Sequence, residues 1–119
     1  MIFSIPGTIT GTVTTTPTVV ANTGSYDTFL DVATLNGNIT DDGGTAITEK
    51  GFYYAVDDAT ITNADTKVTN IAVGTGTYSD TVNVSQTGSA QTLYYRAFAT
   101  NINGEILSST TESIVIPAV

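Results

Sequence analysis

The stretch Glu49-Lys50-Gly51-Phe52-Tyr53-Tyr54-Ala55 is the densest aromatic run in the chain. A second run, Thr92-Leu93-Tyr94-Tyr95-Arg96-Ala97-Phe98-Ala99-Thr100-Asn101, matches it in character. Together they hold four of the six tyrosines, two of the four phenylalanines and the only arginine. β-Branched and aromatic side chains fit a pleated, half-buried surface, so both runs read as strands and as the centre of one core. Successive strand residues alternate faces, so one tyrosine of each adjacent pair points outward.

The neighbouring segments read the same way. Val32 to Ile39 alternates, with Ala33, Leu35 and Ile39 as its inward set. Asp41-Asp42-Gly43-Gly44 is a turn, because Asp bonds its own backbone and Gly supplies φ > 0. The central strand is expected over 46–56. Ile47 and Phe52 both look like core residues yet lie five apart, which predicts a β-bulge at 49–51. Residues 57–66 form a polar loop whose apolar anchor is Ile61. A short strand follows over 67–73, then an alternating one over 77–84 with Tyr78, Val82 and Val84 inward. Asn103-Gly104 signals a hairpin, and 105–116 closes the sheet. Upstream, Thr16 to Val20 reads as an edge strand, since Pro17 is tolerated at edges and strand starts. Asn22-Thr23-Gly24-Ser25 reads as a turn, and 27–31 as a connector. The expected fold is all-β: a single immunoglobulin-like sandwich of about seven antiparallel strands.

Composition agrees. The 119 residues suit one domain. Threonine fills 25 positions, and β-branched residues lose rotamer freedom in helices. The formal charge is −8, from 11 acidic and three basic residues. Phosphate binding needs clustered Lys and Arg, so Lys50, Lys67 and Arg96 do not make a nucleic-acid surface. There is no apolar run long enough for membrane insertion. The opening Met1-Ile2-Phe3-Ser4-Ile5-Pro6-Gly7 lacks a basic n-region and is not expected to act as a signal peptide. Residues 1–15 stand apart from the sandwich, expected over 16–119. Ile2, Phe3 and Ile5, followed by the alternation around Ile9 and Val13, describe an extended apolar arm. Such an arm is expected to dock on protein, either its own sheet or a neighbouring chain, by strand addition.

Little chemistry is on offer. Without His or Cys, the commonest general base and the thiol nucleophile are missing. Lys50 and Lys67 are expected on exposed strand faces, away from any serine they would activate. The carboxylate pairs Asp41-Asp42 and Asp57-Asp58 sit in turns, where adjacent side chains diverge, whereas glycoside hydrolysis needs two carboxyls facing one bond. Asp57, Asp58, Asn63 and Asp65 share one loop but lack any Ca²⁺-loop spacing. The expectation is no enzyme, no metal and no cofactor. Tyr53, Tyr94 and Arg96 form the candidate surface-binding face: outward tyrosines stack on sugar rings, or pair across strands. Arg96 is expected to reach Glu49 or a ring on that face.

"ATLNGNITDDGGTAITEKGFYYA" followed by "TLYYRAFATNINGE" resembles the fibronectin type III-like domain of Bacteroidetes surface and secreted proteins and of their phages. The running pattern falls on Ala33–Thr40, Gly43-Gly44, Glu49–Tyr54 and Tyr94–Gly104, and the likeness covers residues 16 to 117. The family's tyrosine-corner position falls on Leu93, so either Tyr94 or Tyr95 takes that role or the corner is missing. Residues 1–15 have no counterpart in the family module. The resemblance implies a non-catalytic protein. The first expectation is a virion-surface structural subunit (capsid decoration, head fibre or tail-associated), held to other protein subunits by Ile2, Phe3, Ile5, Ile9 and Val13. The alternatives are an extracellular adhesive, spacer or glycan-binding module on a bacterial surface, touching host glycan, and a self-assembling filament subunit.

Overall fold

The computed structural model describes residues 13–119 and contains eight strands and, among those residues, no helix. They are β1 (Thr18–Asp27), β2 (Val32–Asp41), β3 (Glu49–Val56), β4 (Thr66–Asn70), β5 (Gly76–Asn83), β6 (Gln91–Asn101), β7 (Gly104–Leu107) and β8 (Glu112–Ile116). One sheet has the order β1-β2-β5; the other runs β4-β3-β6-β7, with β8 also on β6. All pairings are antiparallel. This is the expected all-β sandwich. Its inner faces bury Ala33, Leu35, Ile39, Phe52, Tyr78, Leu93, Tyr95, Ala97, Ile114 and Ile116.

The two aromatic runs pair along their length as β3 and β6, from Glu49 opposite Thr100 to Val56 opposite Leu93. That register has no interruption, so the bulge expected at 49–51 is absent. Ile47 reaches the core from the coil before β3, where strand parity does not apply. Gly51 serves a different purpose. A Cβ there would collide with the Val68 carbonyl oxygen and come within 3.0 Å of Thr69 Cα and the Phe98 ring. The missing side chain lets β4 lie close against β3.

The bulge lies instead in β1, between Asn22 and Ser25. The expected turn over 22–25 is therefore interior strand, and the reversal comes at 28–31. Gly24 permits this: a Cβ would stand 2.5 Å from the Thr34 carbonyl oxygen and 2.6 Å from Ile114 Cδ1. Asp27 then caps the true turn, its carboxylate accepting from the Phe29 and Leu30 amides.

The single closing strand expected over 105–116 is split into β7 and β8. Ser108 bridges the gap. Its amide donates to Ala97 O at 2.8 Å, while its buried hydroxyl accepts from Ala97 N at 3.1 Å and donates to Thr110 O at 2.9 Å. Ser108→Ala strands the Ala97 N–H in a buried place, so we expect a loss of about 1–3 kcal/mol in urea unfolding. An unchanged midpoint would show that water satisfies the amide.

Strand alternation sorts the loops by end. Residues 13–17, 42–48, 71–75 and 102–103 lie at one end, here the entry end. Residues 28–31, 57–65, 84–90 and 117–119 lie at the other.

Candidate functional site

The outer face of the β3–β6 sheet was the candidate binding face, and the structure covers much of it. Tyr53, only 4% exposed, packs with Phe98 at a ring separation of 4.9 Å. Ile61 folds back from the 57–65 loop to cap both, and Ala55, Tyr94 and Leu107 pack against this small outer cluster. The Tyr53 hydroxyl donates to Glu105 Oε2 at 2.6 Å. Burial, then that carboxylate, pushes the phenol pKa up. Arg96 is opposite Tyr53, but its guanidinium is committed to carbonyls: Nε to Ser108 O at 2.8 Å and Nη1 to Ile61 O at 3.1 Å. Glu49 pairs with Lys67 at 2.8 Å instead of with Arg96, and that bond raises the Lys67 pKa. Tyr94 and Arg96 each keep part of their surface open. The face therefore works as a second core under a loop, because a loop carrying one isoleucine returns over it.

Lys50 corrects a second expectation. It shares the inward face with Phe52 and is 3% exposed. Its Nζ donates to Gly74 O at 3.0 Å and lies 5.1 Å from the Tyr78 ring centre. Asn70, opposite Lys50, bridges to the other sheet through Ser79 O and Asp80 Oδ1. Burial raises the Asp80 pKa, and among the described residues its Oδ2 has no hydrogen-bond partner. These polar groups line the side where, among the described residues, β4 and β5 are the margins of their sheets. Charges pointing inward there oppose the pairing of an edge with another chain.

The loop carboxylates are spent on their own backbone. Asp41 and Asp42 accept from the Gly43 and Gly44 amides. Asp57 accepts from Thr92 N, Asp58 from Thr60 N and Asp65 from Thr62 N. Among the described residues, no group of three or more acidic side chains gathers as a metal site would.

Tyr95 fills the inward place on β6. Its hydroxyl donates to Asn22 O, at the β1 bulge. This is a tie between sheets rather than a local corner, and Leu93 and Tyr94 do not share it. Burial pushes its pKa to about 12, and burial raises that of Tyr78 as well. Neutral phenol is the form the fold accepts. Stability is thus fully present below the ordinary tyrosine value near pH 10 and falls as pH rises through 10 towards 12. Tyr95→Phe is expected to lower stability at neutral pH by about 1–3 kcal/mol, by orphaning Asn22 O, and to flatten the alkaline decline. A variant whose alkaline decline is as steep as the parent's would overturn the assignment.

The outer face of the β1-β2-β5 sheet holds a concavity of about 570 Å³ lined by Asn22, Thr23, Asn36, Gly37, Thr77, Tyr78 and Ser79. Asn36 stands between Asn22 and Ser79 in register. It donates to Thr23 O and accepts from the Ser79 hydroxyl. Sequence reasoning missed this surface because its residues are ordinary strand polar residues with no aromatic among the outward ones.

At the entry end, the incoming chain is fastened. Thr15 N donates to Gly43 O at 2.9 Å. Asn101 Nδ2 donates to Thr15 O at 2.6 Å, and Asn103 Nδ2 donates to Thr14 Oγ1 at 2.8 Å. Thr14 and Thr15, expected in the arm, are thus held by the sandwich. Of the arm residues, Val13 is exposed; Ile2, Phe3, Ile5 and Ile9 lie outside the described residues. Comparison with known proteins is blank. No family model, curated protein or solved structure matches the chain.

Proposed function

We propose that this is a non-catalytic structural module that joins a larger protein assembly through its N-terminal segment. The observation that carries the reading is the fastening of Thr14 and Thr15 to Gly43, Asn101 and Asn103. Hydrogen bonds that hold Thr14 and Thr15 on the sandwich lower the entropy lost when the chain docks through its N-terminal segment. The apolar residues Ile2, Phe3, Ile5 and Ile9 give that segment something to bury. The fibronectin type III-like reading draws on three strands packed against five, with β7 and β8 together standing where one closing strand was expected. Its setting would be a virion surface, with docking on capsid, tail or sister subunits, or a bacterial cell surface. Deleting residues 1–12 spares Thr14 and Thr15. It is expected to leave the thermal midpoint unchanged while abolishing assembly larger than a dimer in sedimentation velocity. Assembly larger than a dimer that survives the deletion refutes the reading.

A second reading, a glycan-binding module, draws on the concavity around Asn36. Amide and hydroxyl groups there suit a neutral sugar, and Tyr53 and Arg96 are no longer needed. Titration with neutral oligosaccharides, watched by amide chemical shifts at Asn22, Asn36 and Ser79, tests it. No shift at millimolar sugar removes it.

A further inference from the structure

The entry end of the sandwich is apolar to a degree that loops rarely are. Ile71 is 98% exposed, Val73 and Val13 each 85%, and Ile102 81%. They come from three separate segments that the strand order brings to the same end. Exposed apolar groups of this size mark candidate interaction surfaces; the opposite end also exposes Phe29 at 96%, Leu30 at 70% and Val119 at 85%, so it is the neighbouring charge that separates the two ends.

The charge pattern says what can approach it. Residues 13–17, 71–75 and 102–103 contain no charged side chain. The acidic side chains at this end are all engaged: Asp41 and Asp42 each cap a glycine amide, Glu49 pairs with Lys67, and Glu105 accepts from the Tyr53 hydroxyl. The opposite end carries Asp27, Asp31, Asp57, Asp58 and Asp65. Two copies of a chain with charge −8 repel almost everywhere. They repel least where their entry ends meet. Head-to-tail contact would set these apolar tips against the acidic end, which would desolvate carboxylates without a cation.

We propose that the entry end, through Ile71, Val73, Ile102 and Val13, is a self-association surface whose occupant is the same end of a second copy. The contact is isologous and so closes as a pair, not a filament. It is distinct from the docking of residues 1–12 and stands whether or not that segment binds anything.

Sedimentation equilibrium of the full chain, from about 1 to 200 µM, tests it. The wild type should show a reversible dimer. The triple variant Ile71→Ser, Val73→Ser, Ile102→Ser should weaken it by at least about tenfold. These side chains lie outside the core, so the thermal midpoint should not move. Phe29→Ser with Leu30→Ser, at the opposite end, should leave the dimer intact. A wild type that stays monomeric throughout overturns the proposal. So does a dimer that survives the triple variant, or one that dissolves with the Phe29 and Leu30 pair. If deletion of residues 1–12 dissolves the dimer and the triple variant does not, the surface fails and the segment reading stands. If the triple variant dissolves it and the deletion does not, the surface stands alone.

Discussion

Gly51→Ala is expected to destabilise the domain by about 3 kcal/mol, the upper part of the range for overpacking. The new Cβ would overlap the Val68 carbonyl oxygen and press on Thr69 Cα and Phe98 Cε1, each at 3.0 Å. A flexible side chain can rotate away from an added methyl; a carbonyl within a ladder cannot. Phe98 is fully buried under Tyr53 and Ile61, so β4 must move. It is short, and among the described residues β3 is the only strand with which its backbone pairs. Its release would carry off Val68 from the core, Asn70 from Asp80, and Lys67 from Glu49. A thermal midpoint lower by about 10–20 °C is the expected readout. Loss of amide protection should be concentrated at Thr66–Asn70. A variant within about 2 °C of the parent would mean that β4 lies further from β3 than the structure shows.

Much of this fold was legible. Ala33, Leu35 and Ile39 keep one face because period two is enforced wherever one side of a sheet is buried. Tyr78 and Val82 do the same, and Asn103-Gly104 turns where expected. What stayed hidden depends on which strand crosses which. Asn22 to Ser25 has turn chemistry, yet Gly24 sits beneath Ile114 and the Tyr95 hydroxyl, contacts that no local reading contains. The reason for Gly51 lies across the sheet in Val68. Lys50 was readable in principle: it lies two residues from Phe52 and must share its face. Polar character outweighed parity in assigning it outward.

The candidate site divides along the same line. Parity placed Tyr53, Tyr94 and Arg96 on one outer face correctly. Solvent access was a separate question, settled by a loop that folds back on Ile61. The entry-end tips were masked for another reason. A strand expected to run to Val73 absorbed Ile71 and Val73 as sheet residues, whereas β4 stops at Asn70. There the Asn70 side chain caps the Ala72 amide at 2.9 Å and starts the loop. Apolar residues then fall in a connector, and their meaning changes from packing to contact.

Phe52→Ala is expected to have the larger effect, about 4–5 kcal/mol, at the high end for a buried aromatic. The cost of such a truncation depends on how far the site can collapse. Here it collapses little. The Phe52 ring lies 5.0 Å from that of Tyr78 and 5.6 Å from that of Tyr95, the second pair edge-to-face at 84°. Neither tyrosine is free to fill the hole. Tyr78 is tethered through its hydroxyl to Gly51 O at 2.9 Å and Phe98 O at 3.1 Å, and Tyr95 to Asn22 O. Moving either ring inward would exchange a void for an orphaned buried carbonyl, which costs about 1–3 kcal/mol by itself. The floor of the site is Gly37, where a Cβ would come within 3.2 Å of the Phe52 ring and 3.1 Å of Tyr78. Gly37→Ala alone should therefore destabilise, through crowding against Phe52. In the Phe52→Ala background part of that crowding is gone, so the two changes should couple favourably by about 0.5 kcal/mol or more. A double-mutant cycle in urea measures both claims. A Phe52→Ala cost below about 2 kcal/mol would mean that the tyrosine tethers yield. Strict additivity with Gly37→Ala would mean that the ring and the glycine do not share one space.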